Sequence, residues 1–205
     1  MTPFDIHTHH GTGENAVFSR SFGRPYPESA RFSAGLHPWY VSADTLEAAF
    51  DWLQEQVVLP HCAAVGEAGL DKICTTDWTI QERAFRHCIE VAVAHQKPLI
   101  IHCVRAYEEV LAIKKEWGTQ GDTIPWIFHG FNKKPAVAQM LLRAGAYLSF
   151  GAALLVPGSP AAQSLAICPP GRYFLETDDR SDVSIAAVYA AAAAILGEVQ
   201  VGKVI

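Results

Sequence analysis

TIQERAFRHCIEVAVAHQKPLIIHC, residues 79–103, reads as one helix followed directly by one strand. Phe85, Cys88, Ile89 and Ala92 recur at helical spacing on one face, with Thr79 placed as N-cap and Glu82 three residues on. Pro98 ends that pattern and opens a continuous apolar run, the form taken by a parallel strand buried on both faces. The same alternation extends in both directions along the chain. Runs rich in Ile, Val, Phe and Leu lie near 3–7, 16–19, 32–36, 63–67, 98–102, 124–129, 146–150 and 172–177. Helical patterns lie near 44–57, 106–117, 134–144 and 183–196, the last rich in alanine and of high intrinsic propensity. Eight strands with interleaved helices predict a (β/α)8, TIM-barrel-like α/β fold in preference to a doubly wound sheet. The second strand is weak and no helical pattern follows it. Residues 11–30, with Pro25 and Pro27, read as a long loop bordering a site.

At 205 residues, half of them apolar, the chain suits a single barrel domain over 1–205. No run of about twenty apolar residues occurs, and Asp5, His7, His9 and His10 interrupt the start, so neither a membrane span nor a signal peptide is expected. Cys62, Cys74, Cys88, Cys103 and Cys168 are an odd number without C-x-x-C spacing, which points to free thiols in a reducing cytoplasm. A formal net charge of −5 argues against a broad basic face for duplex DNA. It permits a local phosphate site, because bound cations would offset the acidic groups there.

Barrel enzymes work at the C-terminal edges of their strands, and this chain's metal-ligating residue types collect at those edges. His7 and His9 close the first predicted strand, Glu67 the fourth, His102 the fifth and His129 the sixth, while Asp178 follows the eighth. Two residues apart on an extended backbone, His7 and His9 point to one side and can share an ion. An isolated H-x-H has ordinary structural explanations. Imidazoles and carboxylates delivered by five strands to one rim are the donor set of borderline and hard divalent ions. Without ions, carboxylates gathered this way are expected to repel one another.

The segments "DIHTHH", "GLHP", "VGEAGLD", "PLIIHCVRA", "FHGF" and "LETDD" together span residues 5–179. In this order they resemble the motifs of the TatD family of metal-dependent DNases. The resemblance implies a metal-bearing α/β barrel with His7, His9, Glu67, His102, His129 and Asp178 as ligands of two divalent ions, Zn, Mn or Mg. It implies that His7, His9, Glu67 and Asp178 hold one ion, and that Glu67 bridges to a second held with His102 and His129. A bridging carboxylate suits two cations about 3.5–4 Å apart, whose repulsion it offsets. The resemblance also casts Asp178 as acceptor of the attacking water's proton and names Glu67 and Asp178 as the catalytic pair. Glu176, two residues before Asp178, serves a further ion, a supporting position, or a buried structural hydrogen bond.

Departures from the family pattern fall around that rim. Val104 stands where members often carry arginine, with Arg105 one position later; Asn132, Lys133 and Lys134 follow the strand-six motif; and Asp179 and Arg180 follow Asp178. His37, Arg105, Lys133, Lys134 and Arg180 are therefore candidate substrate contacts, with solvated surface charge the competing reading for the lysines and arginines. Trp39 and Tyr40 read either as loop packing or as a surface on which a base stacks. The chain also ends at Ile205 without the final helix that family members generally have, so a barrel somewhat distorted and open at that seam is expected.

The reading that follows is a two-metal hydrolase of phosphodiester bonds, a deoxyribonuclease acting on single-stranded DNA or short oligonucleotides. Two alternatives stand beside it. One is a binuclear amidohydrolase-type enzyme for an amide or ester, although Glu67 stands where such enzymes often use a modified lysine. The other is a barrel that keeps its metal ligands without turnover.

Overall fold

A computed structural model describes residues 2–203. Its eight strands are β1 (Asp5–Thr8), β2 (Ala16–Ser21), β3 (Phe32–Gly35), β4 (Cys62–Asp71), β5 (Leu99–Val104), β6 (Trp126–Phe128), β7 (Tyr147–Phe150) and β8 (Tyr173–Leu175). They pair in parallel, in sequence order, from β1 to β8. The helices are α1 (Leu46–Val57), α2 (Trp78–Ala94), α3 (Tyr107–Gly121), α4 (Pro135–Arg143), α5 (Pro160–Leu165) and α6 (Ile185–Leu196), with a 3-10 turn at Ala152–Leu155. The predicted (β/α)8 barrel is the fold observed. No helix links β1 to β2 or β2 to β3.

Local chemistry sets the helix starts. Asp77, not Thr79, caps α2: its carboxylate accepts from the amides of Thr79 and Ile80, satisfying donors that have no partner within the helix. Pro135 opens α4, and Ser184 caps α6 by accepting from the Ala187 amide. The turn at 152–155 and α5 carry no helical pattern in the sequence, because each is too short to show one period clearly.

Apolar side chains fill two compartments. The large cluster packs the helices on the outer face of the sheet, including Leu53, Phe85, Ile89, Ile101, Phe128 and Leu141. Two small clusters, Ile6–Ile127–Phe174 and Val17–Ala64–Ile100, share Phe4 as a partly buried neighbour and fill the barrel interior.

The seam between β1 and β8 closes through a single parallel bridge, Thr8 to Asp178. The Asp178 amide donates to the His7 carbonyl and the His9 amide to the Asp178 carbonyl, both at 3.0 Å. Beneath it, the buried Asp5 carboxylate accepts from the Thr177 amide (3.1 Å) and hydroxyl (2.6 Å). Residues that supply the candidate ligands therefore also close the barrel. After α6 the chain returns to β8: the Gly202 amide donates to the Tyr173 carbonyl, and a side chain at Gly202 would collide with the Phe174 ring. This segment runs beside β8, one of the two strands at the seam expected to be open; Val204 and Ile205 lie outside the described residues. Among the described residues no helix is long and apolar enough to cross a membrane.

Candidate metal centre

β4 is the strand whose reading from sequence changes most. It runs on to Asp71, so Glu67 sits within the strand and does not close it. The β4–β5 register shifts between Val65 and Ala68, which turns Glu67 inward. Glycines flank it for a steric reason. Gly66 and Gly69 have φ of 131° and 154°, and a Cβ would lie 2.4 Å from the Ile100 carbonyl oxygen at the first and 1.9 Å from that of His102 at the second. Any side chain there would push β4 off β5 and separate Glu67 from His102.

Glu67 is 3% exposed, and its two oxygens face different partners. Oε2 lies 3.4 Å from His7 Nε2 and 3.5 Å from His9 Nε2. The same two nitrogens lie 3.5 and 3.6 Å from Asp178 Oδ1. Oε1 lies 2.8 Å from His102 Nδ1, 2.7 Å from His129 Nε2 and 3.1 Å from His37 Nε2.

The donor set fits a divalent ion on two observations. Both ring nitrogens of the fully buried His7 lack a hydrogen-bond partner, an expensive condition for a polar group with no other role. Moreover, a tetrahedron built on ligand bonds of about 2.1 Å has edges of about 3.4 Å. The four separations from the Nε2 atoms of His7 and His9 to Glu67 Oε2 and Asp178 Oδ1 are 3.4–3.6 Å. His7–His9–Asp178 and His7–Glu67–His129 are both ligand groupings on distance grounds.

The Oε1 side is held by two further residues. His102 stands between two carboxylates, its Nε2 3.2 Å from Asp71 Oδ2 and its Nδ1 2.8 Å from Glu67 Oε1, so an ion held by Nδ1 would leave the Nε2–H to be oriented by Asp71. His37 works differently. Its Nδ1 accepts from the Trp39 amide at 3.1 Å, which makes Nε2 the donor to Glu67. His37 thus lies inside the cluster and orients Glu67; burial, only partly offset by Glu67, lowers its pKa and keeps the ring neutral. Asp71 was legible in principle: 67, 69 and 71 share one face of an extended strand, and "VGEAGLD" ends on it.

Glu176 is fully buried, and its Oε1 accepts from the Gly130 amide and lies 3.7 Å from His129 Nδ1. That places it behind His129, and it also belongs to a possible grouping with His129 and Asp178.

The repulsion expected among the carboxylates is offset by the imidazoles that interleave with them. Burial, which alone would raise Glu67, is outweighed by His129 and His37, and its pKa falls well below the usual value. Asp178 likewise stands at about 2, burial being outweighed by His7. His7 rises to about 9 despite burial and His129, through the attraction of Asp178 and Glu67. His129 is raised for the same kind of reason, with Glu67 and Glu176 overcoming its burial.

A cavity of about 280 Å³ opens over this cluster, lined by His9, His37, Trp39, Tyr40, Glu67, His102, His129, Asp178 and Asp179. The candidate substrate contacts are not all gathered there. Arg105 lines a neighbouring groove with Lys72 and Tyr107. Arg180 lines a cleft on the far side of Asp178, its guanidinium held by Asp182 at 2.6 and 2.7 Å. Lys133 and Lys134 are exposed and line none of these three spaces.

The family model of TatD related DNase matches residues 6–190. The chain belongs to this family. An uncharacterized metal-dependent hydrolase of Bacillus subtilis (strain 168), YabD, is 31% identical over 150 residues, 70% of this chain and 56% of that protein. The 3'-5' ssDNA/RNA exonuclease TatD of Rahnella sp. (strain Y9602) is 28% identical over 174 residues, 82% of this chain and 64% of its own length. The TatD-family chain thus spans a little over half the length of several curated relatives that it matches, 54–58% of three of them. In fold it is similar to the crystal structure of YjjV, a TatD homologue from Escherichia coli K12, with a TM-score of 0.71 at 21% identity, covering 89% of this chain and 79% of that one.

Proposed function

We propose that the protein is a metal-dependent hydrolase that cleaves phosphodiester bonds in short single-stranded DNA or RNA. The observation that carries this reading is the division of ligands by Glu67, with His7 and His9 at Oε2, Asp178 facing the same two imidazoles, and His102 and His129 at Oε1. Two divalent ions, Zn, Mn or Mg, held by these two sets and sharing Glu67, would supply the positive charge that a phosphodiester needs at its attacking and leaving oxygens. The chain's own residues do the rest. Asp178 Oδ1 faces His7 and His9, leaving Oδ2 as the atom to take a proton from the attacking water. Its pKa of about 2 keeps it ionised for that task. His37 and Asp71 hold Glu67 and His102 in place. Five free cysteines suit a reducing compartment, and we place the protein in the cytoplasm on that ground.

The test is a substrate panel for the metal-loaded protein: single-stranded DNA and RNA oligonucleotides, a generic phosphodiester, a phosphomonoester and an amide. Cleavage of the oligonucleotides and the generic diester, abolished by chelation, is the expected result. Turnover of the amide alone would replace this reading with an amidohydrolase. Bound metal without turnover of any substrate would make the barrel a binding module.

A further inference from the structure

Beside the metal-ligand cavity lies a second cleft of about 340 Å³, lined by Trp39, Asp71, Ile73, Cys74, Thr75 and Thr76. Trp39 belongs to both spaces. It is 55% exposed, more than any other Phe, Tyr or Trp among the described residues, and Ile73 beside it is 63% exposed. A large indole left in water forfeits the burial that normally accounts for a tryptophan's place in a fold.

This ring is nevertheless fixed. Its Nε1–H donates to Asp71 Oδ2 at 2.7 Å, and its backbone amide donates to His37 Nδ1 at 3.1 Å. It meets the His37 ring edge-on, with centroids 4.9 Å apart at 77°. Exposure and immobility together describe a platform, since little side-chain freedom is left to lose when something stacks on it. The charge of Asp71 is already engaged by Trp39, His102 and the Ile73 amide, the last at 2.8 Å. What the cleft offers a visitor is apolar surface from Trp39 and Ile73 and hydroxyls from Thr75 and Thr76. A flat, uncharged ring with polar edges matches that wall, and an anion or cation does not.

We infer that this cleft is a nucleobase subsite, in which the base adjoining the reacting phosphate stacks on Trp39. The inference rests on the phosphodiesterase reading for the identity of its ligand. Because Trp39 lines both spaces, a base in the cleft lies one ring away from a phosphate held over Glu67. Asp71 couples the two, since the same oxygen holds the Trp39 indole and His102.

The experiment compares short phosphorothioate-linked oligonucleotides with fully abasic strands of equal length. Binding to the metal-loaded protein is read by fluorescence anisotropy in wild type, Trp39→Leu and Trp39→Phe. Stacking on one aromatic ring predicts a wild-type preference for the base-bearing strand of about tenfold. Trp39→Leu, which keeps bulk without a π face, should lose it. Trp39→Phe, which keeps the face but not the N–H, should retain most of it. Equal preference in wild type and Trp39→Leu overturns the subsite, as does a Trp39→Phe protein that falls as far as Trp39→Leu. Wild-type protein that cleaves oligonucleotides without distinguishing the two strands also overturns the subsite, while leaving the phosphodiesterase reading intact. Protein that prefers the base-bearing strand but cleaves no phosphodiester has the opposite meaning.

Discussion

The two sides of Glu67 both rely on histidines and differ in how closely they approach the carboxylate. On the Oε2 side, His7, His9 and Asp178 stand 3.4–3.6 Å from their neighbours, spaced like the corners of a coordination shell. On the Oε1 side, the His37, His102 and His129 nitrogens lie 2.7–3.1 Å from the carboxylate oxygen. The difference comes from what holds each set. His7, His9 and Asp178 stand along the backbone bonds that close the barrel seam. His102 lies within β5 and His129 just past β6, away from that seam, and their rings reach Oε1 directly. On the two-ion reading, the first half is already spaced for an ion and the second would open its 2.7–3.1 Å contacts to admit one.

The most damaging challenge to this contrast is Asp178→Asn. It keeps the seam hydrogen bonds, which are made by the backbone, and removes the charge. Turnover on an oligonucleotide should fall about a thousandfold, combining loss of a ligand with loss of the proton acceptor. The ion-free protein should also lose about 1 kcal/mol, discounted because the Asp178 side chain is 33% exposed. A carboxyl held at about 2 contributes stability above the unfolded value near 3.8 and loses it as pH falls through 2. At neutral pH the contribution is fully present, so the substitution should lower the melting temperature measured in chelator. A variant with wild-type single-turnover rates would shift the catalytic role to Glu176.

Asp71→Asn sharpens the comparison, because it touches only the Oε1 side. Loss of the acceptor that orients His102 should weaken binding of one ion by 10–100-fold and leave the other untouched. Calorimetric titration would resolve two binding events in wild type with one selectively weakened in the variant. Equal weakening of both would show that the halves act as one unit.

A smaller effect separates the halves by pH. His7 is raised to about 9 in the ion-free protein, and an ion at the Oε2 side must displace that proton. Affinity there should climb as pH rises to about 9, by at most tenfold per unit for this one proton. The ion-free protein should move the other way, losing the stability of the charged ring as pH passes from 6.5 through 9. Affinity that levels off at pH 7 would mean that the His7 ring is already neutral.

The least effect is expected outside both halves. Lys133→Ala with Lys134→Ala should change substrate binding no more than about twofold and barely alter its salt dependence, since both side chains point to solvent away from the cavity. A marked flattening of the salt dependence would show that a longer strand tracks across α4.

The sequence by itself determined the order of strands and helices, since buried parallel strands must be apolar and crossover helices amphipathic over many residues. It also brought the candidate ligands to one rim, because a barrel sends every strand's C-terminal end to the same face. Short elements escaped it, as at 152–155 and in α5. So did the length of β4: glycines that look like strand breakers are there to admit the backbone of β5. Only the tertiary structure decided that His37 and Asp71 support the ligands, that the lysines stand apart from the cavity, and that imidazoles offset the carboxylates. Those outcomes depend on distances between residues remote in the chain, and a spacing rule along one strand carries no information about its neighbours' register. The division of Glu67 between two unequal halves is of this kind, set by the backbone bonds that close the seam between the first strand and the last.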